Sequence, residues 1–421
     1  MVDSRAEWGG EGGCMDVAME AAAPLRGRAA TTVVLCCLAA VAEGFDIQSM
    51  GVAAPAMAPA LHLTRDQLGP AFSASTVGLL IGAIVIGRLA DRVGRRWTLI
   101  GSLAMFGVFS LATPLAGSLG SLLVIRLLAG LGLGGAMPNL IALASESVTP
   151  RRQASFVAIS AATLPLGGSL ASAVAAALPW RSIFEVGGLG PLVLAGVMLP
   201  WLPESQRFMA SRAGALDVRP RPSLLQVFFG DGRALASVML WLSAFCALLL
   251  LFLLLNWLPT LMGAKGVSKP EASLVSLLFN VGGCLGGLTI AALYAGPKRA
   301  AILAVWFGGT AVSLAALAYA PGVLAAAGAA GLLAGFFISS APTALYALAP
   351  DYYAVAMRGT GLGGVIGVGR IGAIIGPLLA GALLVGGKDA HGVLMALLPF
   401  AAVAAAAAFI ALARRPAVPQ T

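Results

Sequence analysis

The chain has 421 residues, of which 59% are hydrophobic and only 10% charged, and its mean hydropathy is +0.94. Soluble domains carry roughly 25% charged residues, so a water-soluble enzyme or binding domain is excluded and a chain threaded repeatedly through a bilayer is left. The net charge of +9 is dispersed over short loops, and no basic run is interleaved with aromatics, which removes nucleic acid as a partner.

Residues 1–30 are rich in Gly, Ala and acids, lack the apolar core of a signal peptide, and read as a disordered cytoplasmic tail. Apolar stretches long enough to cross a bilayer as helices, about 20 residues each, follow at 31–55, 68–89, 97–116, 119–144, 154–178 and 183–203. A polar connection, 204–233, then carries Arg207, Arg212, Arg219, Arg221 and Arg233 with Pro220 and Pro222, the composition of a flexible linker. Six more apolar stretches fall at 234–262, 270–295, 299–320, 322–348, 359–386 and 390–413, before a short cytoplasmic tail, 414–421. The expected fold is therefore all-α and membrane-embedded, with twelve transmembrane helices in two six-helix bundles, 31–203 and 234–413. Most of the 26 Lys and Arg residues lie at the N-terminus and in the even-numbered loops, so the positive-inside bias puts both termini in the cytoplasm.

Charges inside these spans need a reason to be there. Glu43 and Asp46 stand one turn apart in the first span, where a carboxylate costs roughly 2.5–3.5 kcal/mol on insertion scales. Their i, i+3 spacing puts both on one helix face, looking into a shared polar interior. Arg126 lies roughly 8 Å into the fourth span and Asp46 roughly 13 Å from the far end of the first, counting 1.5 Å per residue. An Arg126 pair with Asp46 or Glu43 is thus within reach; snorkelling to headgroups is the alternative. Arg370 stands roughly 15 Å inside the eleventh span, near the midplane. Glu271, Asp351 and Asp389 all sit at span ends, so no carboxylate of the C-terminal half shares its depth. A substrate carboxylate gripped by the guanidinium fork is the natural partner, with Glu43 as the alternative.

Several familiar patterns dissolve on inspection. Gly130-Leu131-Gly132-Leu133-Gly134-Gly135 fits GxGxxG but lies mid-span with no strand before it, and so reads as close helix packing. No Walker A pattern is present, His62 and His391 are solitary, and Cys14, Cys36, Cys37, Cys246 and Cys284 have no metal-ligand spacing. No cofactor, metal or enzymatic activity is expected.

The loop between the second and third spans, Gly87-Arg88-Leu89-Ala90-Asp91-Arg92-Val93-Gly94-Arg95-Arg96, closely resembles the signature loop of the major facilitator superfamily. That resemblance implies a cytoplasmic gate built from Gly87, Asp91, Arg92, Gly94, Arg95 and Arg96, in which Asp91 and Arg95 hold the two halves together when the carrier faces outward. Glu43-Gly44-Phe45-Asp46 with Gly51 and Pro55 resembles the first-helix motif of the aromatic acid:proton symporters, with Glu where Asp is usual. The likeness continues through Met137-Pro138-Asn139, Trp201-Leu202-Pro203-Glu204-Ser205, Asn256-Trp257-Leu258-Pro259, Tyr346-Ala347-Leu348-Ala349-Pro350 and Val368-Gly369-Arg370. Within that branch it is most similar to carriers of 3-(3-hydroxyphenyl)propionate, which also tend to have Glu first. The pseudo-equivalent loop, Ala295-Gly296-Pro297-Lys298-Arg299, lacks the acid relatives place there, which puts a second latch in question.

Together these readings imply a monomeric, multi-pass carrier of the inner membrane that imports an aromatic acid anion with a proton by alternating access. Asp46, with Glu43, would carry the proton. Arg370 and Arg126 would bind the anion, Phe45, Trp257 and Tyr346 would wall the ring, and Asn256 or Asn280 would meet a phenolic hydroxyl. An efflux antiporter for amphipathic compounds and a non-transporting membrane receptor are the alternatives. Against the exporter, the fifth span has Pro165 and Gly167-Gly168 but not a long glycine-proline pattern.

Overall fold

A computed structural model describes residues 27–147, 150–212, 223–293, 299–354 and 357–414. The described residues are helical throughout, joined by short turns. Helix α1 runs Gly27–Ala60, α2 Arg65–Val93, α3 Arg95–Ala112, α4 Leu119–Glu146, α5 Pro150–Ala177 and α6 Trp180–Trp201. Short helices α7, Gln206–Arg212, and α8, Leu224–Phe229, lead to α9, Ala234–Ala264, and α10, Lys269–Leu293. Then come α11, Arg299–Tyr319, α12, Leu324–Ala334, α13, Ala341–Leu348, α14, Arg358–Val385, α15, Ala390–Met395, and α16, Leu398–Ala413. Among the described residues, eleven helical stretches are long and apolar enough to cross a membrane, and the expected fifth span falls in α5.

Two expectations are corrected. Residues 27–30, read as tail, already belong to α1. The connection 204–233 is not featureless where it is described. Val227 of α8 is fully buried, Phe228 packs edge-on against Trp241 at 5.0 Å, and Arg233 pairs with Asp231 while donating to the Gln226 and Val227 carbonyls. Apolar residues hidden among the arginines make this anchorage. Residues 213–222 of the linker and residues 294–298 lie outside the described residues.

Helices in lipid gain little from apolar burial against one another, so small residues that admit close approach decide the packing. A Cβ at Gly78 or Gly82 of α2 would collide with carbonyls of Leu127 or Leu131, and one at Gly130 or Gly134 of α4 with those of Ser75 or Leu79. The glycine run in the fourth span is therefore the α2–α4 seam. On the outside, large apolar side chains such as Val193 (65% exposed) and Val312 (62%) face outward, which lipid tolerates and water does not.

The helices before residue 204 meet those after residue 233 along α5–α10, α2–α14 and α1–α9. Gly69 lies against Pro377 and Leu378, Gly51 against Leu255 and Asn256, and Ser73 Oγ donates to the Ile374 carbonyl at 2.8 Å. Trp257 donates from Nε1 to the Pro377 carbonyl at 3.0 Å and packs edge-on against Phe72 at 5.2 Å. These contacts lie toward the end away from the arginine loop. At the arginine-loop end Arg88, Leu89, Asp91, Arg92 and Val93 are exposed. At the end away from the arginine loop the two sets of helices are thus held closed against each other.

Candidate functional site

The first feature is a buried ion pair. Asp46 (0% exposed) on α1 receives both arms of Arg126 (1%) on α4, with Nη1 to Oδ1 at 3.1 Å and Nη2 to Oδ2 at 2.8 Å. Ser110 Oγ donates to Oδ1 at 2.9 Å, Arg126 Nη2 also reaches Ser75 Oγ at 3.3 Å, and the guanidinium lies 5.8 Å from the Phe184 ring centroid. A charge this deep is tolerable only with its partner and these extra hydrogen bonds in place. The depths counted along the two spans meet, and Asp46 rather than Glu43 takes the arginine.

One turn toward the arginine loop, Glu43 is 1% exposed, and its Oε2 has no hydrogen-bond partner among the described residues. Arg370 of α14 stands within electrostatic reach of both Glu43 and Tyr346 of α13. It is half-buried, with its guanidinium carbon 5.8 Å from the Phe252 ring centroid, and makes no ion pair or hydrogen bond among the described residues. A cation and an unmatched carboxylate oxygen thus share the interior without closing on each other. Such an arrangement can accept an anion on the arginine and a proton on the acid.

Farther from the arginine loop, a polar clasp joins the two sets of helices. Gln48 Nε2 donates to the Leu255 carbonyl at 3.0 Å, and Asn280 Nδ2 donates to Gln48 Oε1 at 3.2 Å and to the Ser276 carbonyl at 2.9 Å. Asn256, two turns from Leu249 on α9, is buried and donates to the Phe252 carbonyl at 2.8 Å. Asn280 therefore serves the seam through Gln48 in this conformation. Gln48 and Phe252 are the residues that sequence reasoning missed; the only signal for Gln48 is a lone amide two positions past Asp46 in an apolar helix.

Two aromatics expected at the ring site are placed elsewhere. Trp257 is spent on Pro377 and Phe72, tying α9 to α14 and α2. Phe45 packs on Gly187 of α6, where a Cβ would meet its ring at 2.9 Å. Tyr346 lies within electrostatic reach of Arg370, and Asn256 lines a narrow cavity beside Arg126. No group of three metal-binding side chains occurs among the described residues.

The model of the Major Facilitator Superfamily matches residues 36–294 and 240–421. The chain belongs to this superfamily. A 3-(3-hydroxy-phenyl)propionate transporter of Escherichia coli (strain K12) is 40% identical over 390 residues, covering 91% of this chain and 94% of that one. A gallate transporter of Pseudomonas putida is 35% identical, covering 90% of each chain. Among solved structures, a bacterial homolog of the human lysosomal transporter Spinster, inward-facing and unoccupied, superposes with a TM-score of 0.74 at 18% identity, covering 94% of this chain and 99% of that one. The xylose transporter XylE from E. coli gives 0.72 at 16% identity, covering 93% and 97%. These likenesses establish a common fold and a multi-pass membrane protein.

In this superfamily member the arginine loop is a charged turn folded against its own half. Gly94 adopts φ +105°, open to glycine at little cost, and starts α3. Arg95 pairs with Glu146 at the end of α4, and Glu146 accepts from Ser205 at 2.6 Å. The Arg96 amide donates to Glu204 Oε1 at 3.0 Å. Asp91 and Arg92, in the last turn of α2, are exposed, and Gly87 lies one helical turn before them. In the other half Arg299, at the start of α11, pairs with Asp351 after α13, the counterpart of Arg95 with Glu146. The acid missing from the 295–299 loop is thus matched for Arg299 by one from the end of the tenth span.

Proposed function

We propose that this carrier imports an aromatic carboxylate together with a proton by alternating access, with 3-(3-hydroxyphenyl)propionate or a related hydroxylated aromatic acid as the cargo. The observation that carries the reading is Arg370, a cation with no ion-pair partner among the described residues, within electrostatic reach of Glu43, whose buried Oε2 has no hydrogen-bond partner there. The relatives named above, transporters of hydroxylated aromatic acids, supply the substrate class.

On this reading twelve spans form two six-helix bundles, 31–203 and 234–413, joined by the 204–233 linker and embedded in the inner membrane with both termini cytoplasmic. The arginine loop then lies in the cytoplasm, and the described conformation faces inward. Asp46 and Arg126 hold each other while the acid is ionised; protonation of Asp46 from outside, with Glu43 assisting, loosens that pair. The incoming carboxylate is taken by Arg370. Anion and proton travel as a neutral load, which avoids about 2.3 kcal/mol per elementary charge for each 100 mV of potential. Closure of the cytoplasmic end would bring the arginine turn of the first bundle against the second, with Asp91 and Arg95 as its charged contacts.

Uptake of labelled 3-(3-hydroxyphenyl)propionate into proteoliposomes, with the outside more acidic than the lumen, tests the reading. Accumulation that a protonophore abolishes is the expected result. Extrusion against the proton gradient, or no flux of any aromatic acid, would replace it with an antiporter or a receptor.

A further inference from the structure

Beside the Asp46–Arg126 pair, between the two sets of helices, lies a narrow cavity with apolar walls that include Met50 and Phe252 and a polar lining of Ser75, Thr76, Arg126 and Asn256. Its usable volume is small, about 20 Å³ for the centre of a water-sized group. In this conformation it takes a hydroxyl or a water, not a ring.

Its polar groups are unspent. Thr76 is 5% exposed, and its hydroxyl makes no hydrogen bond among the described residues, not even the backward bond to a helix carbonyl that buried threonines commonly make. Asn256 uses its Nδ2 on Phe252, leaving Oδ1 without a donor. Arg126 gives both terminal nitrogens to Asp46, and its buried Nε has no acceptor among the described residues. Ser75 Oγ accepts from Arg126 and keeps its own proton to give. A buried polar atom left unpaired is costly, so Arg126 Nε calls for a partner, and the Thr76 hydroxyl and Asn256 Oδ1 lining the same niche have capacity to share it.

The set selects that partner by chemistry. A carboxylate only accepts and would be repelled by Asn256 Oδ1; an ammonium only donates and would face Arg126. A hydroxyl both donates and accepts, and matches threonine, amide oxygen and guanidinium N–H together. Phe252 joins this niche to the anion site, because its ring carries the Arg370 guanidinium at 5.8 Å and also lines the niche. A ligand with its carboxylate on Arg370 and a hydroxyl in the niche must lay an aryl ring across Phe252.

We propose that Thr76 and Asn256, with Ser75 and the Nε of Arg126, form the ring-hydroxyl subsite, and that Thr76 sets the preference for hydroxylated over plain aromatic acids. This rests on the aromatic-acid reading above. The test is calorimetric binding of 3-(3-hydroxyphenyl)propionate and of 3-phenylpropionate to the purified full-length carrier and to Thr76→Val, a substitution of equal shape. Wild type binds the hydroxylated acid more tightly. Thr76→Val weakens it about tenfold, the worth of one buried hydrogen bond, and leaves 3-phenylpropionate within about twofold, while Thr76→Ser restores the difference. Equal affinity of wild type for the two acids, or a Thr76→Val loss shared by both, overturns the subsite while leaving the transport reading intact. Binding of neither acid by wild type removes that reading and the subsite with it. Should Thr76→Val not be recovered folded, Asn256→Ala is judged by the same ratio.

Discussion

The Nε2 of Gln48 donates to the Leu255 carbonyl at 3.0 Å, and that carbonyl is free because Pro259 stands four residues on. A proline has no N–H, so the helix α9 bond that would have used the Leu255 oxygen does not exist. An amide from the opposite set of helices takes its place. The clasp therefore crosses the seam at the closed end and must open whenever that end opens.

Removing the clasp should shift the balance between the two faces. Gln48→Ala forfeits about 0.5–1.5 kcal/mol of net hydrogen bonding, or roughly a two- to tenfold change in the population open at the clasp end. Pro259→Ala acts on the same bond by giving the Leu255 oxygen a partner within its own helix. Spin labels at the far ends of α1 and α9 should show longer distances in both variants, and the double variant should exceed neither by much, since the two share one interaction. Unchanged distances would mean that the clasp bears no load.

If Arg370 carries the anion as proposed, its geometry matters as well as its charge. Arg370→Ala should raise KM for the aromatic acid by about ten- to a hundredfold, the span expected for a charge-assisted hydrogen-bonded contact. Arg370→Lys keeps the charge but loses the planar fork, so it should recover only part of that loss. Initial uptake rates over a substrate series decide this. A lysine variant equal to wild type would show that Arg370 supplies only a field.

Asp46 holds Arg126, and on the proposed mechanism it also takes the proton; the two duties can be separated. Asp46→Asn keeps the shape and removes the titrating group, so gradient-driven accumulation should vanish while substrate exchange across the bilayer survives. It also leaves Arg126 uncompensated, a state that costs several kcal/mol when one partner of a buried pair is deleted. Pairing Asp46→Asn with Arg126→Met should return the melting temperature toward wild type without restoring accumulation.

The depth of charges was legible in the sequence because a helix rises 1.5 Å per residue. Counting placed Asp46 and Arg126 at levels that meet, and showed Arg370 without an acid of its own half nearby. The direction of aromatics was not legible. Helix α9 is apolar on every side, so nothing in its pattern says whether Trp257 or Phe252 faces the interior, and Phe252 is the one that does. Gln48 escaped for a different reason. Its partner is a backbone carbonyl, which no pairing of side-chain types reveals until the effect of Pro259 on its own helix is considered. The short helices α7 and α8 were hidden by the arginines and prolines around them, although Val227 and Phe228 are the apolar anchors within that stretch.

Two glycines of α1 separate seam packing from packing within one half. A Cβ at Gly51 would run into the Leu255 carbonyl of α9, while one at Gly44 would run into the Leu164 backbone of α5. Both positions demand glycine through close backbone approach, but only the first lies across the seam. Gly51→Val should therefore wedge α1 from α9 and favour the conformation parted at the clasp end, where the collision is relieved. Gly44→Val has no conformation that relieves it, because α1 and α5 belong to the same half, and should lower thermal stability by several degrees with little bias between faces. Labelling of a cysteine introduced at Leu61 should quicken in the Gly51 variant and stay near the wild-type rate in the Gly44 variant. The reverse pattern would mean that the halves do not move as units about the α1–α9 contact.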